Sequence, residues 1–104
     1  MWFAYRGADG LPFREKVAKP LCVVGRGPGC DLFLDEANVS RRHASISEFN
    51  GKFLLTDLES SNGTAVNGIP AERQFIRPGD RLWFGTFECT FLGEEADDTK
   101  RRTP

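Results

Sequence analysis

The chain has 104 residues, 14 of them basic and 15 acidic, a size that implies one domain burying roughly two-thirds of its unfolded surface and folding without disulfide or metal staples. Length therefore excludes a cofactor domain beside a separate substrate domain. The last eleven residues, EEADDTKRRTP, hold four of the acids and three of the bases, so the body is neutral; a general nucleic-acid binder needs a basic face and is excluded, and any anion has to be captured locally.

Along the chain, the N-terminal MWFAYRGADG offers neither a basic leader with a cleavage site nor part of an apolar span of about 18 residues. A cytoplasmic protein with no membrane partner is expected. Gly7 to Gly10 is the first turn signal, and Gly27-Pro28-Gly29 the next. Ala44 and Ile46 then alternate with Ser45 and Ser47 up to Asn50-Gly51, and Phe53 and Leu55 alternate with Leu54 and Thr56. Asn62-Gly63, Asn67-Gly68 and Pro78-Gly79-Asp80 mark further reversals. Leu82 and Phe84 alternate with Arg81 and Trp83, and Phe87, Cys89 and Phe91 with Glu88 and Thr90. Period two means strands with one buried face, and glycine and asparagine tolerate the positive φ of tight turns.

No segment carries a sustained 3.6-residue period. Short strands about ten residues apart predict an all-β protein, a β-sandwich, with the nine phenylalanines and two tryptophans expected to fill its core. Cys22, Cys30 and Cys89 lack any paired spacing, so three reduced thiols and no metal site are expected, Cys89 in an apolar row and the other two near a loop.

The polar chemistry falls in the loops. VVGRGPGCDLFL (23–34), NVSRRHASI (38–46), LTDLESSNGTAVNG (55–68) and RPGDRLWFG (77–85) place arginine, serine, threonine or asparagine beside glycine. Guanidinium forks, hydroxyls and glycine-rich backbone turns together hold phosphate. Nucleotide binding is not signalled, because GRGPG lacks the GxGxxG spacing and a following helix, and no GxxxxGK[ST] occurs. No cofactor is expected.

The order Gly25-Arg26, Ser40-Arg41-x-His43-Ala44, Ser60-Ser61-Asn62-Gly63-Thr64 with Asn67-Gly68, then Pro78-Gly79-Asp80 ahead of Gly85 resembles the forkhead-associated (FHA) domain. The resemblance covers about residues 20 to 92. It implies a sandwich of two mainly antiparallel sheets with about eleven strands, of the FHA/SMAD-like type, whose loops at one end bind a phosphothreonine peptide. Residues 1–93 are then the phosphopeptide-binding domain and 94–104 a charged, disordered tail. The implied partner is a phosphothreonine-containing protein, either a Ser/Thr kinase or its substrate, bound by a monomer that is not an enzyme.

On the matching positions, the resemblance implies that Arg26 reaches the phosphate, Ser40 donates its hydroxyl, and Arg41 adds a second polar donor. Ser61 donates through its hydroxyl or N–H, Asn62 clamps the peptide main chain, and Asn67 braces the loop with some contact to the peptide. Gly25, His43, Gly63 and Thr64 support the site. Arg42 is expected to face solvent, and Asp57 and Asp80 to accept turn hydrogen bonds.

Two other functions compete. Ser40, His43 and Asp57 supply the ingredients of a hydrolase triad, although no GxSxG elbow is present. Trp83, facing outward between Leu82 and Phe84, could anchor a phosphate-independent partner. Thr99 and Thr103 in the tail are candidate phosphorylation sites for a regulatory switch.

Overall fold

The computed structural model describes residues 1–94, so the tail expectations on Thr99 and Thr103 lie outside the described residues. Eleven strands follow one another: β1 (Trp2–Arg6), β2 (Pro12–Lys16), β3 (Leu21–Gly25), β4 (Leu32–Phe33), β5 (Ala44–Phe49), β6 (Lys52–Asp57), β7 (Thr64–Val66), β8 (Ile69–Pro70), β9 (Arg73–Ile76), β10 (Arg81–Phe84) and β11 (Phe87–Gly93). They form a six-stranded sheet in the order β2-β1-β11-β10-β7-β8 and a five-stranded sheet in the order β4-β3-β5-β6-β9. Among the described residues no helix is long and apolar enough to cross a membrane.

The period-two alternation sets which side of each sheet is buried. Ala44 and Ile46 of β5, Phe53 and Leu55 of β6, Leu82 and Phe84 of β10, and Cys89 and Phe91 of β11 all lie in the core between the sheets. Turn chemistry sets the register. Asn50 (φ 53°) and Gly51 sit between the paired Phe49 and Lys52, and Asn67 (φ 51°) and Gly68 between the paired Val66 and Ile69. Two-residue loops with positive φ at both positions match the right-handed twist of the flanking strands. β3 and β4 are parallel, with Val24 opposite Leu32 and Gly25 opposite Phe33. The intervening residues 26–31 are far fewer than the dozen or more that a parallel crossover ordinarily needs, and they suffice because β4 is only two residues long.

Two expectations are corrected. Only Phe3, Phe53, Phe84 and Phe91 of the nine phenylalanines are core residues; Phe13, Phe33, Phe49 and Phe75 are about half exposed. They fall on outward-pointing or edge positions, which residue counting does not distinguish. Cys22 is not near a loop but fully buried within β3, and burial, the largest cause, pushes its thiol up to about 12.

The ends of the strands position the site. β3 ends at Gly25, β5 begins at Ala44, β6 ends at Asp57 and β7 begins at Thr64, all pairing within or packing between the same layers. The loops that leave these ends, 26–31, 38–43 and 58–63, therefore emerge together at one end of the sandwich, with the β10–β11 turn beside them.

Candidate functional site

His43 joins the three loops from beneath. It is fully buried, its backbone N–H donates to Val24 O at 2.8 Å, and its ring meets Phe84 edge-on, the centroids 5.7 Å apart. Nδ1 accepts the backbone N–H of Ser40 at 3.0 Å. With Nδ1 an acceptor, Nε2 carries the proton and donates to Gly63 O at 2.8 Å. One imidazole thus ties the 38–43 loop to the 58–63 loop.

The 57–64 segment is wrapped around a carboxylate. Asp57 Oδ1 accepts the hydroxyls of Ser60 and Thr64, each at 2.6 Å, and Oδ2 accepts the Ser60 N–H at 3.0 Å. Ser60 Oγ in turn accepts the Gly63 N–H at 2.9 Å. Burial acts to raise the Asp57 carboxyl, but the hydrogen bonds from Ser60 and Thr64 outweigh it and hold the group below the usual carboxylate range. Asp57 is thus the turn acceptor expected from the sequence. The hydrolase triad does not form, because both ring nitrogens of His43 are engaged by backbone groups and Asp57 by Ser60 and Thr64.

Above this base the polar groups face outward. Arg26 is exposed, but its Nε donates to Val39 O at 2.9 Å, which aims the rest of the guanidinium fork while leaving its two terminal nitrogens uncommitted among the described residues. Ser40 Oγ accepts the Ser61 N–H at 3.0 Å, so the Ser40 hydroxyl proton is left to be donated elsewhere. Because the Ser61 N–H is already used in this way, only the Ser61 hydroxyl remains for a ligand. Asn62 Nδ2 donates to Asn38 O at 2.9 Å, and its carbonyl oxygen is open among the described residues. Arg41 is exposed beside Ser40, its own carbonyl oxygen accepting the Gly27 N–H at 3.0 Å.

Gly25 permits these loops to meet. A Cβ there would overlap the carbonyl oxygen of Arg41, so any side chain would separate the end of β3 from the Ser40-Arg41 segment. Gly63, at φ 85°, turns the chain so that its carbonyl oxygen accepts both the His43 ring and the Gly85 N–H.

The structure leaves one expected ligand out of this network. Asn67 lies past the far end of β7, where its Nδ2 donates to Asp80 at 3.1 Å and its Oδ1 accepts the Arg81 N–H at 3.0 Å. Both ends of its amide are committed to the β9–β10 turn. The bracing expected of Asn67 thus falls on that turn, and the three strand residues from Thr64 to Val66 separate it from the Asn62-Gly63 turn by about 10 Å.

Other participants had no signal in the sequence. Asn38 offers its carbonyl oxygen to Asn62 and its Nδ2 to Thr86 Oγ1 at 3.1 Å, and Val39 contributes through a carbonyl oxygen. Backbone acceptors look alike in any sequence, so only their placement reveals them. Trp83 does face outward between buried Leu82 and Phe84, but it is itself partly buried, and the exposed large apolar side chains are divided between the sheets, Phe13 and Ile69 in its own and Leu21, Phe33, Phe49 and Phe75 in the other.

Comparison with known proteins bears on the family and the fold. Residues 22–85 match the family model of the FHA domain. The chain is 41% identical over 108 residues to the oxoglutarate dehydrogenase inhibitor of Corynebacterium efficiens, spanning 89% of this chain and 76% of that protein. It is 40% identical over 112 residues to the glycogen accumulation regulator GarA of Mycolicibacterium smegmatis, spanning 92% and 71%. Among solved structures, one from a study of phosphothreonine-dependent FHA domain interactions has a TM-score of 0.77 at 28% identity, covering 90% of this chain and 96% of that one. Mycobacterium tuberculosis EmbR in complex with a low-affinity phosphopeptide has a TM-score of 0.76 at 28% identity, covering 92% and 25%.

Proposed function

The chain belongs to the FHA domain family, and from that premise we propose that it is a phosphothreonine-dependent protein-interaction module of Ser/Thr kinase signalling, acting in the cytoplasm as a monomer through residues 1–93. Its partner is a phosphothreonine-containing protein, a kinase or a kinase substrate, and it works by capture without turnover. The relatives named as an inhibitor and a regulator support that mode of action.

One observation carries the reading: donors gather at one end of the sandwich with no acceptor to fill them among the described residues. The Arg26 fork, the Ser40 hydroxyl proton, the Ser61 hydroxyl and the exposed Arg41 all lie on the loops that these hydrogen bonds join. A phosphothreonine brings about −1.5 to −2 charges near neutral pH and three acceptor oxygens, which matches such a set. Holding the fork through Nε and the hydroxyl through the Ser61 N–H lowers the ordering cost of each bond to phosphate. Asn62, tied to the 38–43 loop on one side, offers its open carbonyl oxygen to the peptide main chain. Because the peptide itself has to be ordered, affinity near micromolar, about −8 kcal/mol, is expected. Threonine is favoured over serine by about 1–3 kcal/mol through the γ-methyl.

Calorimetric titration with a phosphothreonine peptide library tests this. Arg26→Ala and Ser40→Ala are each expected to weaken binding at least about 100-fold, the cost of removing a charge-assisted or buried partner, with the unfolding transition nearly unchanged. Undiminished binding by Arg26→Ala overturns the site assignment.

A further inference from the structure

The outer face of the five-stranded sheet carries an apolar row that nothing covers among the described residues. Pairing aligns Leu21 of β3 with Ser47 of β5, Ser47 with Leu54 of β6, and Leu54 with Phe75 of β9. Leu21 is 49% and Phe75 55% exposed. Phe49, one row further toward the β5–β6 turn, is equally open and meets the Phe75 ring edge-on, the centroids 6.5 Å apart. Outward positions of a solvated sheet are ordinarily polar, and contiguous apolar ones mark contact surfaces.

The charge beside the row has one sign. On one side Phe49 is paired with Lys52, and on the other Thr56 with Arg73. Both bases are exposed, and neither forms an ion pair among the described residues. Val23, Gly25, Ser45 and Thr56 complete the outward positions of β3, β5, β6 and β9, so no acid occupies one. A second copy packed on this face would set base against base, whereas an acidic partner complements it. The geometry selects the partner's shape. β5 and β6 each pair on both sides, so their backbone groups are spent and only side chains face an occupant. An extended peptide laid across them would bury its own N–H and C=O groups unpaired, but a helix satisfies its own. The row crosses three strand spacings, about 14 Å, which is the rise of about nine helical residues. The rows on either side stand about 7 Å away, within the width of one helix with its side chains.

We propose that this face docks an amphipathic helix of a partner protein, its apolar stripe seated on Leu21, Leu54 and Phe75 and its acidic flanks meeting Lys52 on one side and Arg73 on the other. Ser47 lies three residues along β5 from Ala44, about 10 Å from the end where the loops gather. The surface is therefore separate from the loop donors. It goes beyond the phosphothreonine reading and does not rest on it.

The test uses two synthetic peptides of about 18 residues, long enough to be helical, each with one leucine stripe and no phosphate. One carries glutamate on both flanks of the stripe and the other lysine. Each is titrated into the isotope-labelled chain, unaltered, as Phe75→Asp, and with Lys52→Glu and Arg73→Glu together, while backbone amide resonances are followed. The glutamate peptide is expected to move the amides of Leu21, Ser47, Leu54 and Phe75 and to leave those of Ser40 and Ser61 in place. It should bind about fivefold more tightly than the lysine peptide, the scale of exposed ion pairs. Phe75→Asp abolishes these shifts. The doubly reversed chain, which alters only exposed charges, prefers the lysine peptide and keeps the test intact if Phe75→Asp does not fold. Absence of shifts along the row, equal binding of the two peptides, or shifts at Ser40 and Ser61 instead overturns the proposal. Row shifts that depend on chain concentration without peptide assign the face to a second copy, and displacement of the glutamate peptide by phosphatidylserine vesicles assigns it to lipid; either result overturns the helix. Because the probes carry no phosphate, failure of the phosphothreonine reading leaves every one of these outcomes unchanged.

Discussion

Two Asn-Gly turns lie five residues apart, at the two ends of β7, and they do different work. At Asn62-Gly63 the asparagine reaches across to the Asn38 carbonyl oxygen and the glycine carbonyl oxygen accepts the His43 ring, so the turn joins separate loops. At Asn67-Gly68 the asparagine adopts φ 51° within a two-residue hairpin, and its amide is spent on Asp80 and Arg81. The dipeptide is the same, but strand direction gives one turn to the end where the loops gather, the proposed ligand end, and the other to the scaffold. A polar residue contributes to recognition only where its hydrogen-bonding capacity is left partly open.

The contrast is broken most severely by separating the loops themselves. Gly25→Ala forces a Cβ into the Arg41 carbonyl oxygen, and the expected cost is about 3 kcal/mol or more, in the range of core overpacking. Urea unfolding measures it, and phosphopeptide affinity should fall along with stability; a variant as stable as the parent would mean that the β3 end and the Arg41 segment are not held together as described.

The paired substitutions Asn62→Ala and Asn67→Ala sharpen the contrast. Asn67→Ala is expected to cost about 1–3 kcal/mol, from two lost hydrogen bonds and a positive φ that alanine resists, with peptide affinity unchanged. Asn62→Ala is expected to weaken peptide binding about tenfold, the equivalent of one hydrogen bond of about 1.4 kcal/mol, and to cost less in stability than Asn67→Ala. Reversal of the two outcomes would exchange the roles of the turns.

The smallest effect is the pH dependence of the carboxylate beneath the ligand end. The folded Asp57 carboxyl lies below the unfolded value of about 3.9, so the folded state binds this proton less readily than the unfolded chain does. Its stabilisation is complete above the unfolded value and is lost as pH falls through the folded one. The stability difference between the unaltered chain and Asp57→Asn should be constant near neutral pH and shrink below about pH 4. A difference that is independent of pH would show that the Ser60 and Thr64 bonds do not depend on the charge.

Much of this was legible in the sequence. Alternation at 44–47, 53–56 and 81–91 marks the buried faces, since side-chain direction in a strand depends only on its neighbours. Asn50-Gly51 and Asn67-Gly68 mark hairpins because positive φ is a local property of the residue. Arg26, Ser40, Arg41, Ser61 and Asn62 are proposed as site residues by residue type and by motif order, and the structure adds the bonds that join Arg26, Ser40, Ser61 and Asn62 to neighbouring loop residues. The aromatic count misled because Phe33, Phe49 and Phe75 sit on strands whose outward positions face solvent, and burial belongs to the packed layers. Which turn Asn67 braces was not legible, because local chemistry does not say toward which end of a strand a turn points.

The sequence by itself therefore determined the strands, the hairpin turns, the family and the set of donor side chains, each set by nearest neighbours or by residue identity. Only the tertiary structure decided that Val39 and Asn38 supply the carbonyl oxygens that aim Arg26 and hold Asn62, and that the Ser61 N–H frees the Ser40 proton. Those contacts join backbone and side-chain groups distant in sequence, and their geometry exists only after the two sheets have packed and brought the loop ends together.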